Sequence, residues 1–263
     1  MRHFTSSICG LLLSATACPA FADTSTPPPA VTISGTVTLV SDYRFRGVSQ
    51  SDITPAVQGS IAITHKSGFY VSVWGSTVDG YVIADGRAHQ EIDLIAGYKT
   101  TIAGTTFDIG ALYYFYPHAR FAGDTSKSDF FDPYIAIAHV FGLVTGKVTA
   151  NFAPKQKGLA LDQGLTSPII KHDNLYLAGD LTVSIPTTPL GVSAHLGHTF
   201  GPSWLATDAT GKQGYSDWGL GATYSYKSLT IGVNYVDTDA RFLSLTGKNV
   251  SKGGVLGSIG AAF

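Results

Sequence analysis

The sequence predicts an all-β fold, a transmembrane antiparallel β-barrel of about 12 strands with up-and-down topology. Three observations lead there. Apolar residues recur at every second position from Val31 to the C-terminus, so each segment has one apolar and one polar face. Short and long connections alternate along the chain. Aromatic residues gather at the ends of the alternating segments, where a lipid-facing barrel carries its two interfacial girdles.

The composition fits that fold and excludes others. Of 263 residues, 44% are hydrophobic and only 13% charged, and the net charge is −1. No block of Lys and Arg stands out, so no nucleic-acid partner is expected, because neutralising phosphates needs a basic stripe. A chain this apolar and weakly charged is not intrinsically disordered. Yet no apolar run reaches the roughly 18–20 residues of a spanning helix. Two-faced strands reconcile these facts. In lipid every backbone group must be paired, so the sheet closes and loses its edges.

Residues 1–22 read as a cleaved export signal. Arg2 gives the positive start, Ile8 to Ala17 the apolar stretch, and Ala20-Phe21-Ala22 the small-x-small site before Asp23. Ala15-Thr16-Ala17-Cys18 faintly resembles a lipoprotein box, but Ala leads it and Pro19 follows the cysteine. Cys9 and Cys18 both precede the cut, which leaves the mature chain without disulfides or thiolate ligands. Residues 23–30, with Pro27, Pro28 and Pro29, form an extended tether. The barrel occupies residues 31–263.

The strands follow in order. Val31 to Leu39 opens the series, with threonines and serines between its apolar residues. Val57 to Ile63, Phe69 to Val73, Ile92 to Ala96 and Phe107 to Tyr113 repeat the pattern. Ile135 to Ile137, Val144 to Phe152, Leu175 to Val183 and Val192 to Leu196 continue it. Trp218 to Tyr224, Leu229 to Tyr235 and Val255 to Ala261 complete it, with Phe263 last. Links near 66–68, 100–105, 141–142, 186–189 and 227–228 are short. Links over 47–55, 79–88, 117–129, 154–173, 201–214 and 238–252 are long. Short turns suit the periplasmic side of a barrel and long loops the outside, an alternation a soluble sandwich has no reason to keep.

With the first strand running outward, Tyr43, Phe45, Tyr113, Phe115, Phe131, Phe152, Phe200, Trp218 and Tyr235 fall at outer ends. Phe69, Tyr98, Phe107, Tyr224, Tyr226 and Phe263 fall at inner ends. The opposite register lines the lumen. There the acids are Asp42, Glu91, Asp93, Asp108, Asp132, Asp180 and Asp217, and the bases are Arg44, Arg46, Lys99 and Lys147. Charged walls set ion preference in a pore, so this acidic excess predicts a weak preference for cations. Pairing across strands is the alternative role for these groups. Tyr70, Trp74, Tyr114, Tyr116, Tyr134 and Tyr176 also point inward, either filling space or offering stacking surfaces to a solute.

Signs of catalysis are thin. There is no HExxH motif and no P-loop. His195 and His198 are spaced for opposite faces of a strand and cannot share a metal, so neither metal nor cofactor is expected. Ser216 and His198 lie on neighbouring segments near the outer rim, the one serine–histidine pair to consider for a barrel hydrolase acting on lipid or lipopolysaccharide.

Several stretches carry a family resemblance: Ser41-Asp42-Tyr43-Arg44-Phe45-Arg46-Gly47-Val48-Ser49-Gln50-Ser51, Pro55-Ala56-Val57-Gln58-Gly59-Ser60, Ser216-Asp217-Trp218 and Tyr235-Val236-Asp237-Thr238-Asp239. Together they resemble the TorF-family porins of Gram-negative outer membranes. The terminal Phe263, behind apolar residues at every second position, resembles the signal read by the barrel assembly machinery. The resemblance implies a barrel and a porin-like role and names no substrate. Asp132-Pro133 departs from the pattern, since such proteins carry the acid without the proline. Pro133 lacks an N–H, so pairing there calls for a bulge or an edge near the rim.

The expected function is a channel for passive diffusion of small hydrophilic solutes, in contact with outer-membrane lipid and lipopolysaccharide. A structural or adhesive barrel with a blocked lumen is the alternative, and a barrel enzyme a further one. The oligomeric state is open.

Overall fold

The computed structural model describes residues 29–83, 87–120, 127–162 and 168–263. The export signal, both cysteines and residues 23–28 of the tether lie outside the described residues. Among the described residues there are fourteen strands: β1 (Val31–Val40), β2 (Arg44–Phe45), β3 (Val48–Ser49), β4 (Ala56–His65), β5 (Phe69–Thr77), β6 (Gln90–Ile102), β7 (Thr105–Phe115), β8 (Phe130–Phe141), β9 (Val144–Gln156), β10 (His172–Ser184), β11 (Leu190–Phe200), β12 (Tyr215–Tyr226), β13 (Leu229–Thr238) and β14 (Gly254–Ala262). Twelve of them form a closed antiparallel barrel in chain order, with β1 pairing both β4 and β14, while β2 and β3 form a separate two-stranded hairpin. No helix among the described residues is long and apolar enough to cross a membrane.

The period-two pattern maps onto the two faces as expected. Ile33, Val37, Ile61, Val73, Leu181 and Val233 are all exposed on the outer wall, the apolar band that lipid would cover. The inner ends are joined tightly. Ala103 and Gly104, both with positive φ, make the two-residue turn between β6 and β7.

The buried core sits inside the outer half of the barrel. Wall residues Trp74, Leu112, Tyr114 and Phe130 pack there against Val82, Ile83, Leu159 and Leu205 from the long links. Leu112, Ile83 and Leu159 are 0% exposed, so the loops fold inward over the mouth and bury apolar surface there.

One expectation needs correction. The first strand ends at Val40, and residues 42–46 lie on no wall strand. Tyr43 and Phe45 therefore leave the outer aromatic girdle and enter the lumen, where they meet Trp74 and Tyr114 at ring-centroid distances of 5.5 and 6.0 Å. The cause is local. Arg46 and Gly47 have φ of 49° and 80°, the double positive φ of a two-residue hairpin turn, and Phe45 pairs with Val48 across it.

Pro133 sits at an edge near the rim, one of the two arrangements expected for it, with no bulge on the β7 side. Its pairing with β7 runs unshifted, Ala111 opposite Pro133. The ladder to β9 instead begins one residue later, at Tyr134 opposite Asn151. Beyond it the Gln156 side chain replaces a strand neighbour: its Oε1 accepts from the Phe131 N–H at 2.8 Å and its Nε2 donates to the Phe131 carbonyl at 2.7 Å. The recorded register shift lies between β9 and β10, at His172–Asn174.

Candidate functional site

The β2–β3 hairpin is the centre of the site. It hangs inside the outer mouth and bonds to much of the wall. Asp42 accepts from Arg44 Nε at 2.6 Å and from Ser49 Oγ at 2.5 Å, which ties the hairpin to itself. Arg44 Nη1 donates to the carbonyls of Gly47, Val250 and Lys252 at 3.0, 3.3 and 3.1 Å. Tyr43 donates to Glu91 on β6 at 2.9 Å. Burial first, and then the Glu91 carboxylate, push the Tyr43 hydroxyl well above its ordinary pKa, which keeps it a donor.

Arg46 reaches furthest. Its Nη1 donates to Asn174 Oδ1 on β10 at 2.6 Å and to Thr199 Oγ1 on β11 at 3.2 Å. Its Nη2 stands 3.7 Å from Asp132 Oδ2 on β8. The guanidinium carbon lies 4.1 Å from the centre of the Tyr176 ring. Burial works against the charge, but Asp132 foremost, with the surrounding tyrosines, outweighs it and raises the Arg46 pKa. Gly47 comes so close to the wall that an added Cβ would meet the Cβ of Thr238 at 2.8 Å and that of Asp217 at 3.1 Å.

Farther in, the charged groups pair across strands. Lys99 meets Asp108 at 3.1 Å and Lys147 meets Asp180 at 3.5 Å. His195 bridges two acids, Asp180 Oδ1 at 2.7 Å from Nδ1 and Asp217 Oδ1 at 3.0 Å from Nε2. Tyr176 donates to Asp217 at 3.1 Å. Among the described residues, the inward registers of β1, β4, β5, β13 and β14 carry no charged side chain. The charge is therefore confined to the wall from β6 to β12.

The lumen tyrosines lie along the wall rather than across the lumen. Tyr70 is paired with Gly97, and Tyr134 with Gly110. Each hydroxyl lies where the glycine's Cβ would stand, and Tyr176 does the same over Gly197. Glycine leaves the groove into which a ring can fold back. Tyr70 and Tyr134 touch through their hydroxyls, and Tyr70 donates to Asp108 at 2.8 Å. Trp74 and Tyr114 are buried in the outer core, and Tyr134 belongs to the same cluster.

The exposure of inward residues follows this division. Glu91, Asp93, Asp132 and Asp217 in the outer half are buried, whereas Thr36, Ser60, Lys99, Lys147 and Thr182 toward the short turns are half-buried. The inner half is thus a polar vestibule below a filled outer half.

Sequence reasoning put Asp42, Arg44 and Arg46 on the wall, whereas the structure places them off the wall strands. The Arg46-Gly47 pair between Phe45 and Val48 was the available sign of a turn. It gave no sign of Asn174 and Thr199, polar residues of unremarkable pattern that complete the Arg46 site.

His195 points inward and His198 outward. His198 Nδ1 is 2.9 Å from Ser216 Oγ. Asp239, the nearby acid, accepts from the Ser216 N–H at 2.8 Å and pairs with Lys212 at 2.9 Å. Among the described residues, no carboxylate is hydrogen-bonded to His198, so the pair lacks the group that orients a catalytic imidazole.

Two of the solved structures that share this fold are porins. The NanC porin is 11% identical over 88% of this chain and 99% of its own, with a TM-score of 0.58. The KdgM porin is 9% identical over 88% of this chain and 97% of its own, with a TM-score of 0.51. No curated protein matches the chain. A family model does match, over residues 24–259, and by it the chain belongs to Gcw_chp, a family of bacterial proteins of unknown function.

Proposed function

We propose that the protein is an outer-membrane, porin-like channel for small hydrophilic solutes, closed at its outer mouth by the β2–β3 hairpin in this state. One observation carries the reading: the outer stopper is a loop hairpin and not part of the wall, while Tyr70, Tyr134 and Tyr176 fold back over glycines of the wall. A barrel built as a solid post would fill its lumen from the wall, as eight-stranded barrels do. The resemblance of residues 41–60 to TorF-family porins supports the same reading, as does the porin fold of NanC and KdgM. The export signal at residues 1–22, lipid and lipopolysaccharide around the apolar band, and recognition of Phe263 by the barrel assembly machinery belong to it.

The blocked structural barrel is the second reading. The density of hairpin bonds, from Glu91 around to Val250, favours it. The Ser216–His198 pair is too incomplete to favour a hydrolase.

Single-channel recording separates the two readings. Valine at Gly47 clashes with Thr238 and strains a φ of 80°, so it unseats the hairpin. The parent should show small or brief conductance, and Gly47→Val a larger one, with the barrel's heat-dependent gel mobility unchanged. Silence from both proteins would leave the structural barrel as the function.

A further inference from the structure

We infer that the pocket holding Arg46 is a binding site for a guanidinium- or ammonium-bearing solute, occupied in this state by the chain's own side chain. The inference deepens the channel reading by naming a solute class, and its binding part is testable without conduction.

The argument rests on who contributes what. The wall supplies a carboxylate (Asp132), an amide oxygen (Asn174), a hydroxyl (Thr199) and an aromatic face (Tyr176), all within contact of one guanidinium. These are the elements that recognise an organic cation: charge, directed acceptors and a π face. The cation itself comes from the hairpin, not from the wall.

The surrounding wall is acidic beyond what Arg46 satisfies. Asp93 and Asp132 are 3% and 1% exposed, and each has an Oδ1 without a hydrogen-bond partner. Glu91 is met by the hydroxyls of Tyr43 and Tyr116 at 2.9 and 3.2 Å. Among the described residues, no wall lysine or arginine pairs with these three acids. Buried carboxylates are costly without a counter-charge. When the hairpin swings out, Arg46 leaves with it, and the vacated pocket calls for a replacement cation. A solute bearing the same group fits that vacancy, whereas an anionic solute meets bare carboxylates.

The test is chemical rescue in detergent with the full chain. Arg46→Ala empties the pocket, and methylguanidinium at millimolar concentration is the probe. The heat-modification midpoint of Arg46→Ala should rise by about 3 °C at saturating probe, while the parent, already occupied, should not shift. Sodium acetate of equal ionic strength should have no effect, and adding Asp132→Asn should abolish the rise. If Arg46→Ala does not fold alone, refolding yield becomes the readout: methylguanidinium should restore the heat-modifiable form. No shift and no rescue would overturn the inference, as would an equal response to acetate. A probe-dependent shift in a protein that never conducts would keep the site and discard only the channel.

Discussion

Phe263, the last residue, closes the barrel on Gly35. The Gly35 N–H donates to the Phe263 carbonyl at 2.9 Å and the Phe263 N–H to the Gly35 carbonyl at 3.0 Å. The ring lies over the outer face of Gly35, where a Cβ would meet it. The seam between the first and last strands therefore ends in one aromatic residue folded over one glycine.

Gly35→Val should consequently weaken the seam. Less of the protein should migrate as the compact, unboiled form on a denaturing gel. Adding Phe263→Ala to Gly35→Val removes the clash and should recover part of that loss if the defect is steric. If Gly35→Val migrates like the parent, the ring does not seal the seam. A double variant no better than Gly35→Val points instead to Phe263 as an assembly signal.

The two faces of the wall make a second prediction. Val233 is 54% exposed at the middle of β13, on the apolar side. Arginine there should cost about 2–4 kcal/mol in a refolding titration into lipid vesicles. Arginine at Thr223, on the neighbouring strand but facing the half-open vestibule, should cost clearly less. Equal costs would mean that the faces have been exchanged.

Under the proposed channel function, the vestibule pairs bear on selectivity. Lys99 and Lys147 stand against Asp108 and Asp180, so replacing both lysines with glutamine leaves an acidic wall. In the open Gly47→Val background, the reversal potential across a salt gradient should move toward cation selectivity. Low salt shows it best, because at physiological salt charges are screened over about 8 Å. Coincident reversal potentials at low salt would place these lysines outside the conducting path.

The strands were legible because each carries its own alternation, as Val31 to Leu39 and Leu229 to Tyr235 do. The hairpin was not, because Asp42 to Arg46 continues the same polar–aromatic alternation as a wall strand. Only the φ values at Arg46 and Gly47 break it, and positive φ at an arginine leaves little trace in composition. The Arg46 pocket was illegible for another reason. Its parts come from β8, β10 and β11, and only barrel closure and register bring Asp132, Asn174 and Thr199 to one point.

Acid should loosen the outer loops through Asp208. Its Oδ1 accepts from the Thr210 N–H at 2.9 Å, the Thr210 hydroxyl at 2.6 Å and the Lys212 N–H at 3.0 Å, while Oδ2 accepts from the Arg241 N–H at 3.0 Å. One carboxylate thus ties the 201–214 link to the 239–253 link. Burial is the largest single influence and opposes its charge, but these hydrogen bonds together prevail and lower its pKa. A lowered pKa means the contribution is fully present above the unfolded value of about 3.9. It is lost as pH falls through the lower folded value. Pepsin cleavage within these links, taken from pH 5 down to pH 2 and corrected for the enzyme's own pH profile, should rise below about pH 4. Asp208→Asn should be cleaved readily at pH 5 already and show little further rise. A variant with the parent's acid transition would assign that transition to another group.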